Sequence, residues 1–110
     1  MSKPPDPIEL LTRLCGIAEQ MTATRMMQLP RETIEALRDE VAGARRRVAP
    51  EWDIVNYQSV CLVECLAALA YARSDEDRAA EDRARMYADD FRKFIRLDLD
   101  IAKLAAERMQ

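Results

Sequence analysis

Histidine is missing from this 110-residue chain, and glycine occurs only twice. Without histidine the chain lacks the commonest general base and the commonest metal ligand, and no Ser–His or Cys–His nucleophile can form. With two isolated glycines it also lacks a glycine-rich phosphate loop. We therefore predict no enzyme activity, no catalytic residue, no cofactor and no metal ligand.

Turn-forming residues are also scarce. Three of the five prolines stand at the very start, in MSKPPDP. A β protein needs glycine, asparagine and proline at its turns, whereas the abundant alanine, leucine, glutamate and arginine favour helix. The length suits one domain. We predict a flexible leader over residues 1–6 and a single all-α domain over residues 7–110.

The charge balance limits the partners. A net charge of −3 and a pI of about 5.0 argue against a general nucleic-acid-binding protein, which needs a basic surface. No apolar run approaches the length of a membrane span. Cys15, Cys61 and Cys65 are an odd set, and the last two stand four apart on a predicted helix, where a disulfide is disfavoured. These features are typical of a reduced, cytoplasmic protein.

The first half of the chain predicts two helices. Asp6, Pro7 and Glu9 form a start resembling a capping box, and apolar residues recur at helical spacing over residues 7–26. Pro30 begins the second helix. Its apolar residues alternate steps of three and four, as in a heptad seam: Ile34, Leu37, Val41, Ala44 and Val48. That seam is too short for an isolated coiled coil, so we expect it to pack in a bundle.

The third helix, from Pro50 to about Arg73, contains the apolar run VCLVECLAALAYA at residues 60–72. Because apolar residues surround nearly the whole circumference of this segment, we expect the helix to be central and buried on all sides. Its single charge, Glu64, has two interpretations. It lies at the edge of the helix or pairs with Arg13 or Arg38, or its charge sets helix register or partner choice at an interface.

Cys61, Glu64 and Cys65 share one face of this helix and suggest a soft-metal site as an alternative. Zinc takes four ligands, and Cys15 is the only further thiol. We therefore interpret the two cysteines as small side chains that pack a buried helix.

The last helix is predicted over residues 75–108, with Ser74 as its N-cap. The stretch IRLDLDI alternates apolar and charged residues as a strand does, but its helical surroundings favour helix. One apolar stripe of this helix includes Phe91 and Phe94. Ile95 and Leu99 lie off that stripe, so the helix has apolar residues on two faces. The surplus suggests a second contact, most simply a homodimer.

Several apolar and aromatic residues are the candidates for a partner or dimer interface, because flexible thioethers and aromatic anchors suit such surfaces. They are Met26, Met27, Trp52, Tyr57, Phe94, Ile95, Leu99 and Ile101. We expect Leu99→Arg to abolish partner binding while leaving the fold intact.

The opening PPDPIELLTRLCGIAEQ and the arginine-rich composition resemble the small quorum-sensing antiactivators of the TraM and QslA types. The resemblance implies a helical homodimer that binds a LuxR-type transcription regulator and blocks its dimerisation or DNA binding. It implies no contact residue at a particular position. The alternative is a self-assembling helical structural subunit, or a small chaperone or escort protein.

Overall fold

The computed structural model describes residues 7–45 and 53–108, which form an all-α fold, as predicted, with no strand in those ranges. The predicted leader, Pro50 and Trp52 lie outside the described residues. The described ranges contain these helices: α1 (Pro7–Ala23), α2 (Arg31–Arg45), α3 (Asp53–Ser74) and α4 (Arg78–Arg108). The IRLDLDI stretch is part of α4, so its period-two pattern does not form a strand.

Consecutive helices α3 and α4 are antiparallel across a short turn, and α1 is antiparallel to α4. Two ion pairs establish the second relation: Arg96 contacts Glu19 at 2.9 Å, whereas Arg25 contacts Asp82 at 3.1 Å. The order of these residues along α4 is opposite to their order along α1 and the segment that follows it. Therefore α1 and α3 run in the same direction on one side of the long α4.

α3 is the central helix, as the sequence predicts, because it contacts each of the other three. The prediction that it is buried on every side is wrong. Tyr57, Glu64, Ala68 and Tyr71 are exposed along one side. α2 and α4 flank α3 without covering the side between them. Apolar residues around the whole circumference of α3 therefore did not mean that other helices cover it on every side. The buried side of α3 carries Leu62, Val63, Leu66, Ala67, Leu69 and Ala70.

The turn between α3 and α4 separates the two helices and begins α4 later than predicted. Ser74 is the last residue of α3, and its hydroxyl accepts a hydrogen bond from Gln28 Nε2 at 2.8 Å. The N-cap of α4 is Asp77, whose carboxylate accepts the Ala80 N–H at 3.1 Å. If α4 began with Ser74 as its N-cap, the turn between the two helices would be lost. The last carbonyls of α3 would then lack the hydrogen bonds that this turn donates to them.

Those carbonyls are satisfied by a Schellman motif. The Asp77 N–H donates to the Ala72 carbonyl at 2.9 Å, and the Glu76 N–H donates to the Arg73 carbonyl at 3.3 Å. Glu76 occupies the left-handed position of this motif with φ of 56°. Glycine is the usual residue there, because a Cβ atom makes the left-handed conformation unfavourable.

We expect Glu76→Gly to stabilise the protein by about 1 kcal/mol, since it removes the steric cost of the left-handed residue. The measurement is the urea midpoint of helical circular dichroism. Asp75→Gly, one residue earlier and without a positive φ, is the control and should destabilise slightly. Equal effects of the two substitutions would contradict this account of the turn.

The connection from α1 to α2 is held by a nearly buried arginine of α3. The side chain of Arg73 is 7% exposed and donates to the carbonyls of Met21, Thr24 and Met27 at 2.7, 3.0 and 2.6 Å. Its Nε also lies 3.3 Å from Glu81 of α4. α1 ends at Ala23 rather than at residue 26, and Arg73 caps the carbonyls around that end.

Candidate protein-interaction surfaces

Large hydrophobic side chains remain exposed on several described helices, and most of them belong to α4. They are Met26, Tyr57, Tyr71, Met86, Tyr87, Phe94, Leu97, Ile101 and Leu104. Single exposed hydrophobic residues are common, but a row of them on one helix is typical of a contact surface. Two surfaces contain nearly all of these residues, one between α3 and α4 and one on the outside of α4.

The first surface is a groove that we call the α3–α4 groove. Its lining residues are Glu64, Cys65, Ala68, Ala80, Arg83, Ala84 and Tyr87. The groove has a volume of about 390 Å³ and opens on the uncovered side of α3. Because most of the lining side chains are small, the backbone of a bound segment can approach α3 closely. Tyr57 and Tyr71 lie on the same side of α3, at positions that continue the spacing of Glu64 and Ala68.

Glu64 forms a bidentate ion pair with Arg38 of α2, as one of the two sequence interpretations predicts. Nε and Nη2 of Arg38 each donate to one carboxylate oxygen at 2.8 Å. This hydrogen bonding raises the pKa of Arg38 above its usual value. The other candidate, Arg13, pairs instead with Glu40. The role of Glu64 in setting an interface stays a prediction.

The Arg38–Glu64 pair also separates two grooves. A second groove, of about 450 Å³, lies between α2 and α3. It is lined by Arg38, Asp39, Val41, Ala42, Val60, Val63 and Glu64. Glu64 therefore lines both grooves. Because the pair is more than a third exposed on both sides, it contributes less than about 1 kcal/mol to stability.

Two of the three cysteine thiols, Cys15 and Cys65, have raised pKa values. Cys15 lies in the core, donates to the Arg92 carbonyl at 3.8 Å, and has a pKa raised by burial to about 11. Burial, with Cys61 and Glu64 nearby, also raises the pKa of Cys65. Both thiols are therefore protonated at neutral pH, and the thiolate is the reactive form. In the described part of the chain, no cluster of three or more cysteine or acidic residues is placed to hold a metal ion.

The second surface is the outside of α4, where exposed residues follow a heptad pattern. We call it the α4 outer seam and define it as Tyr87, Asp90, Phe94, Leu97, Ile101 and Leu104. Successive members are three and four residues apart in alternation, which is the spacing of a coiled-coil seam. The seam lies opposite the buried stripe of the same helix. That stripe consists of Glu81, Ala84, Ala88, Ile95 and Leu99.

Two interface candidates are therefore wrong. Ile95 and Leu99 are both 0% exposed and belong to the hydrophobic core. The sequence shows two apolar stripes on α4, one with Phe91 and Phe94 and one with Ile95 and Leu99, and its periodicity alone does not show which stripe faces inward. The sequence feature that indicates the inward stripe is the pair Ala84 and Ala88, which lie on the same face of α4 as Ile95 and Leu99. Small residues allow the close approach of α4 to its neighbours, so that stripe packs inward.

The other candidates do not form one surface. Phe94 and Ile101 lie on the α4 outer seam and are each 56% exposed. Tyr57 is exposed on α3, on the same side as the α3–α4 groove. Met26 is exposed on the connection between α1 and α2, whereas Met27 packs partly against the core. Trp52 lies outside the described residues.

Comparison with known proteins adds no family. The sequence matches no protein-family model, and comparisons with curated proteins and with solved structures found no similar chain. The resemblance to quorum-sensing antiactivators therefore stays a hypothesis. Within residues 7–45 and 53–108, no helix combines the length and the apolar character that crossing a membrane requires.

Proposed function

We propose that this protein is a non-enzymatic, cytoplasmic antiactivator that sequesters a LuxR-type transcription regulator by holding one of its helices in the α3–α4 groove. The observation that carries the proposal is the groove itself, an open depression between two antiparallel helices with small side chains in most of its lining. An amphipathic helix binds such a groove through apolar residues spaced three and four apart.

The side chains around the groove fit this mode of binding. Cys65 and Ala68 form the α3 side, and Tyr87 stands at the α4 side with 52% of its surface exposed. Tyrosine is a frequent anchor at protein interfaces because its large ring loses little conformational entropy on binding. Glu64 and Arg83 provide charges of both signs at the rim, which fix the orientation of a partner more than its affinity.

The choice of a LuxR-type regulator comes from the resemblance in the N-terminal stretch, and the helical fold is compatible with it. A regulator helix held in the groove is unavailable for pairing with a second regulator molecule. Binding would therefore prevent the regulator from dimerising or from occupying its DNA site. This mode of action requires no catalytic group of the antiactivator.

Ala68→Arg tests the proposal, because a long charged side chain on the floor of the groove blocks a bound helix. The purified protein is titrated with the LuxR-type regulators encoded in the same genome, and affinity and release of operator DNA are measured. We expect one regulator to bind and Ala68→Arg to weaken that binding by at least about tenfold. Ala36→Arg, an exposed change on α2, should bind like the parent.

The two parts of the proposal fail separately. If no regulator binds the parent protein, antiactivation is wrong. If a regulator binds the parent and Ala68→Arg equally well, the function stands and the groove is not its site.

The α4 outer seam favours a second candidate, a self-assembling helical subunit. An exposed apolar row offers a contact to further copies without any regulator. Light scattering over a concentration series separates the two candidates. Mass that keeps growing with concentration indicates open assembly, and a limiting mass contradicts it.

A further inference from the structure

We propose that the α4 outer seam binds the α4 helix of a second copy of this chain, antiparallel, with Leu97 opposite the partner's Ile101. Tyr87 belongs to both the seam and the α3–α4 groove, but it lies outside the contact in this register, so the dimer does not depend on the proposed regulator. The resulting dimer has a two-fold axis level with Leu99, between Leu97 and Ile101, so each copy contributes the same residues.

The seam has the properties of an unfilled coiled-coil surface. Phe94, Leu97, Ile101 and Leu104 are each between 55% and 58% exposed, although all four are large and apolar. The seven-residue repeat of the seam presents one continuous row only to another helix. In this register the contact runs from Asp90 to Arg108, about 27 Å, which accommodates more than two heptads of a partner helix.

The described side chains at the end of α4 are exposed in the monomer. Leu99 is the last buried residue on this helix, and every later side chain that the structure describes is exposed. Ile101 and Leu104 therefore project from this helix end with more than half of their surface exposed. In the antiparallel arrangement, this end of each copy lies along residues 90–97 of the other, and both apolar residues become covered.

Charge complementarity selects this partner and this register. When Leu97 faces the partner's Ile101, Phe94 faces the partner's Leu104 and Asp90 faces the partner's Arg108. Lys93 then lies beside the partner's Glu107. One alignment thus forms both the apolar contacts and two kinds of opposite-charge pair. Each contact occurs twice in the dimer because of its two-fold symmetry.

Two other alignments of the two helices leave Asp90 unfavourably placed, although one of them, the shift by one heptad, also places Asp100 beside the partner's Lys93. A shift by one heptad sets Asp90 against the partner's Ile101, and a parallel pair sets it against the partner's Asp90. Either arrangement desolvates a carboxylate without an opposite charge, which is costly. A partner helix of unrelated sequence would have no reason to supply a cation opposite Asp90.

Two like-charge contacts oppose the chosen register. Asp98 and Asp100 each approach their own counterparts across the two-fold axis. Asp100 is exposed, so solvent and salt screen its repulsion, and Arg96 one turn earlier interacts with it favourably. The repulsion at Asp100 is therefore weakened, and it provides a test of the register.

Sedimentation equilibrium of the full chain tests the proposal through charge reversal. The parent protein should show a monomer–dimer equilibrium. Asp90→Arg should raise the dimer dissociation constant by at least about tenfold, because it places two arginines together. The double variant Asp90→Arg/Arg108→Asp should restore the parent value. Glu32→Arg on α2, which is exposed and distant from the seam, controls for the change in net charge.

Further results can overturn the proposal. A parent protein that stays monomeric at millimolar concentration contradicts it, as does a double variant no tighter than Asp90→Arg alone. Asp100→Asn should tighten the dimer by removing a repulsion, whereas in the shifted register Asp100 faces the partner's Lys93 and the same change weakens it. Ala68→Arg in the α3–α4 groove should leave the dimer unchanged, so the regulator proposal and the dimer fail independently.

Discussion

Arg73→Met is expected to lower the free energy of unfolding by about 3–5 kcal/mol, which is the usual effect of removing one partner of a buried ion pair. Methionine fills a similar volume, so the loss comes from polar groups rather than from a cavity. The carboxylate of Glu81, whose side chain is 10% exposed, would retain only Arg25 at 3.7 Å. Few proteins of this size tolerate such a change, because total stability is only about 5–15 kcal/mol.

The backbone carbonyls add to the effect. Arg73 donates to three of them in the segment that joins α1 to α2, and these acceptors would be left without their partner. The bonds to Met21 and Met27 are partly buried, and an unsatisfied buried acceptor costs about 1–3 kcal/mol, whereas water can replace the exposed bond to Thr24. We therefore expect the end of α1 and the following connection to become mobile before the rest of the protein unfolds, which amide hydrogen exchange would detect.

Two comparisons make the Arg73 experiment decisive when unfolding is followed by urea titration. Arg38→Met removes an arginine from an exposed pair and should cost less than about 1 kcal/mol. The double variant Arg73→Met/Glu81→Met should recover part of the loss, because no buried charge remains unpaired. If Arg73→Met and Arg38→Met destabilised equally, Arg73 would not hold the connection as described.

Leu99→Arg is expected to unfold the chain, contrary to the expectation from the sequence. Leu99 is 0% exposed and lies in the core, so the substitution would place a charge among apolar side chains. Burying an unpaired charge and overpacking the core together cost more than about 4 kcal/mol. Circular dichroism at 222 nm and the urea midpoint measure this directly.

Leu97→Arg, two residues away, is the natural comparison. Leu97 is 58% exposed on the α4 outer seam, so the same change should leave the helical signal and the urea midpoint nearly unaltered. It should instead weaken the proposed dimer. A folded Leu99→Arg, or an unfolded Leu97→Arg, would show that the orientation of α4 is wrong.

The sequence carried most of the information about helix content. Apolar residues at helical spacing, with proline and acidic residues near the breaks, predicted the observed helices to within a few residues in the described ranges. The errors at helix ends have specific causes. The end of α1 depends on Arg73, which is distant in sequence, and the start of α4 depends on a turn with Glu76 in the left-handed conformation.

The sequence by itself determined that the chain forms helices with apolar stripes, because propensity and periodicity are local properties. Only the tertiary structure decided which stripe of α4 faces inward, that α2 and α4 leave one side of α3 open, and that Arg38 rather than Arg13 pairs with Glu64. Those outcomes depend on how side chains of different helices fill space together. Residues such as Ile95 and Leu97 differ little in their local pattern, and only packing against the other helices buries one and exposes the other.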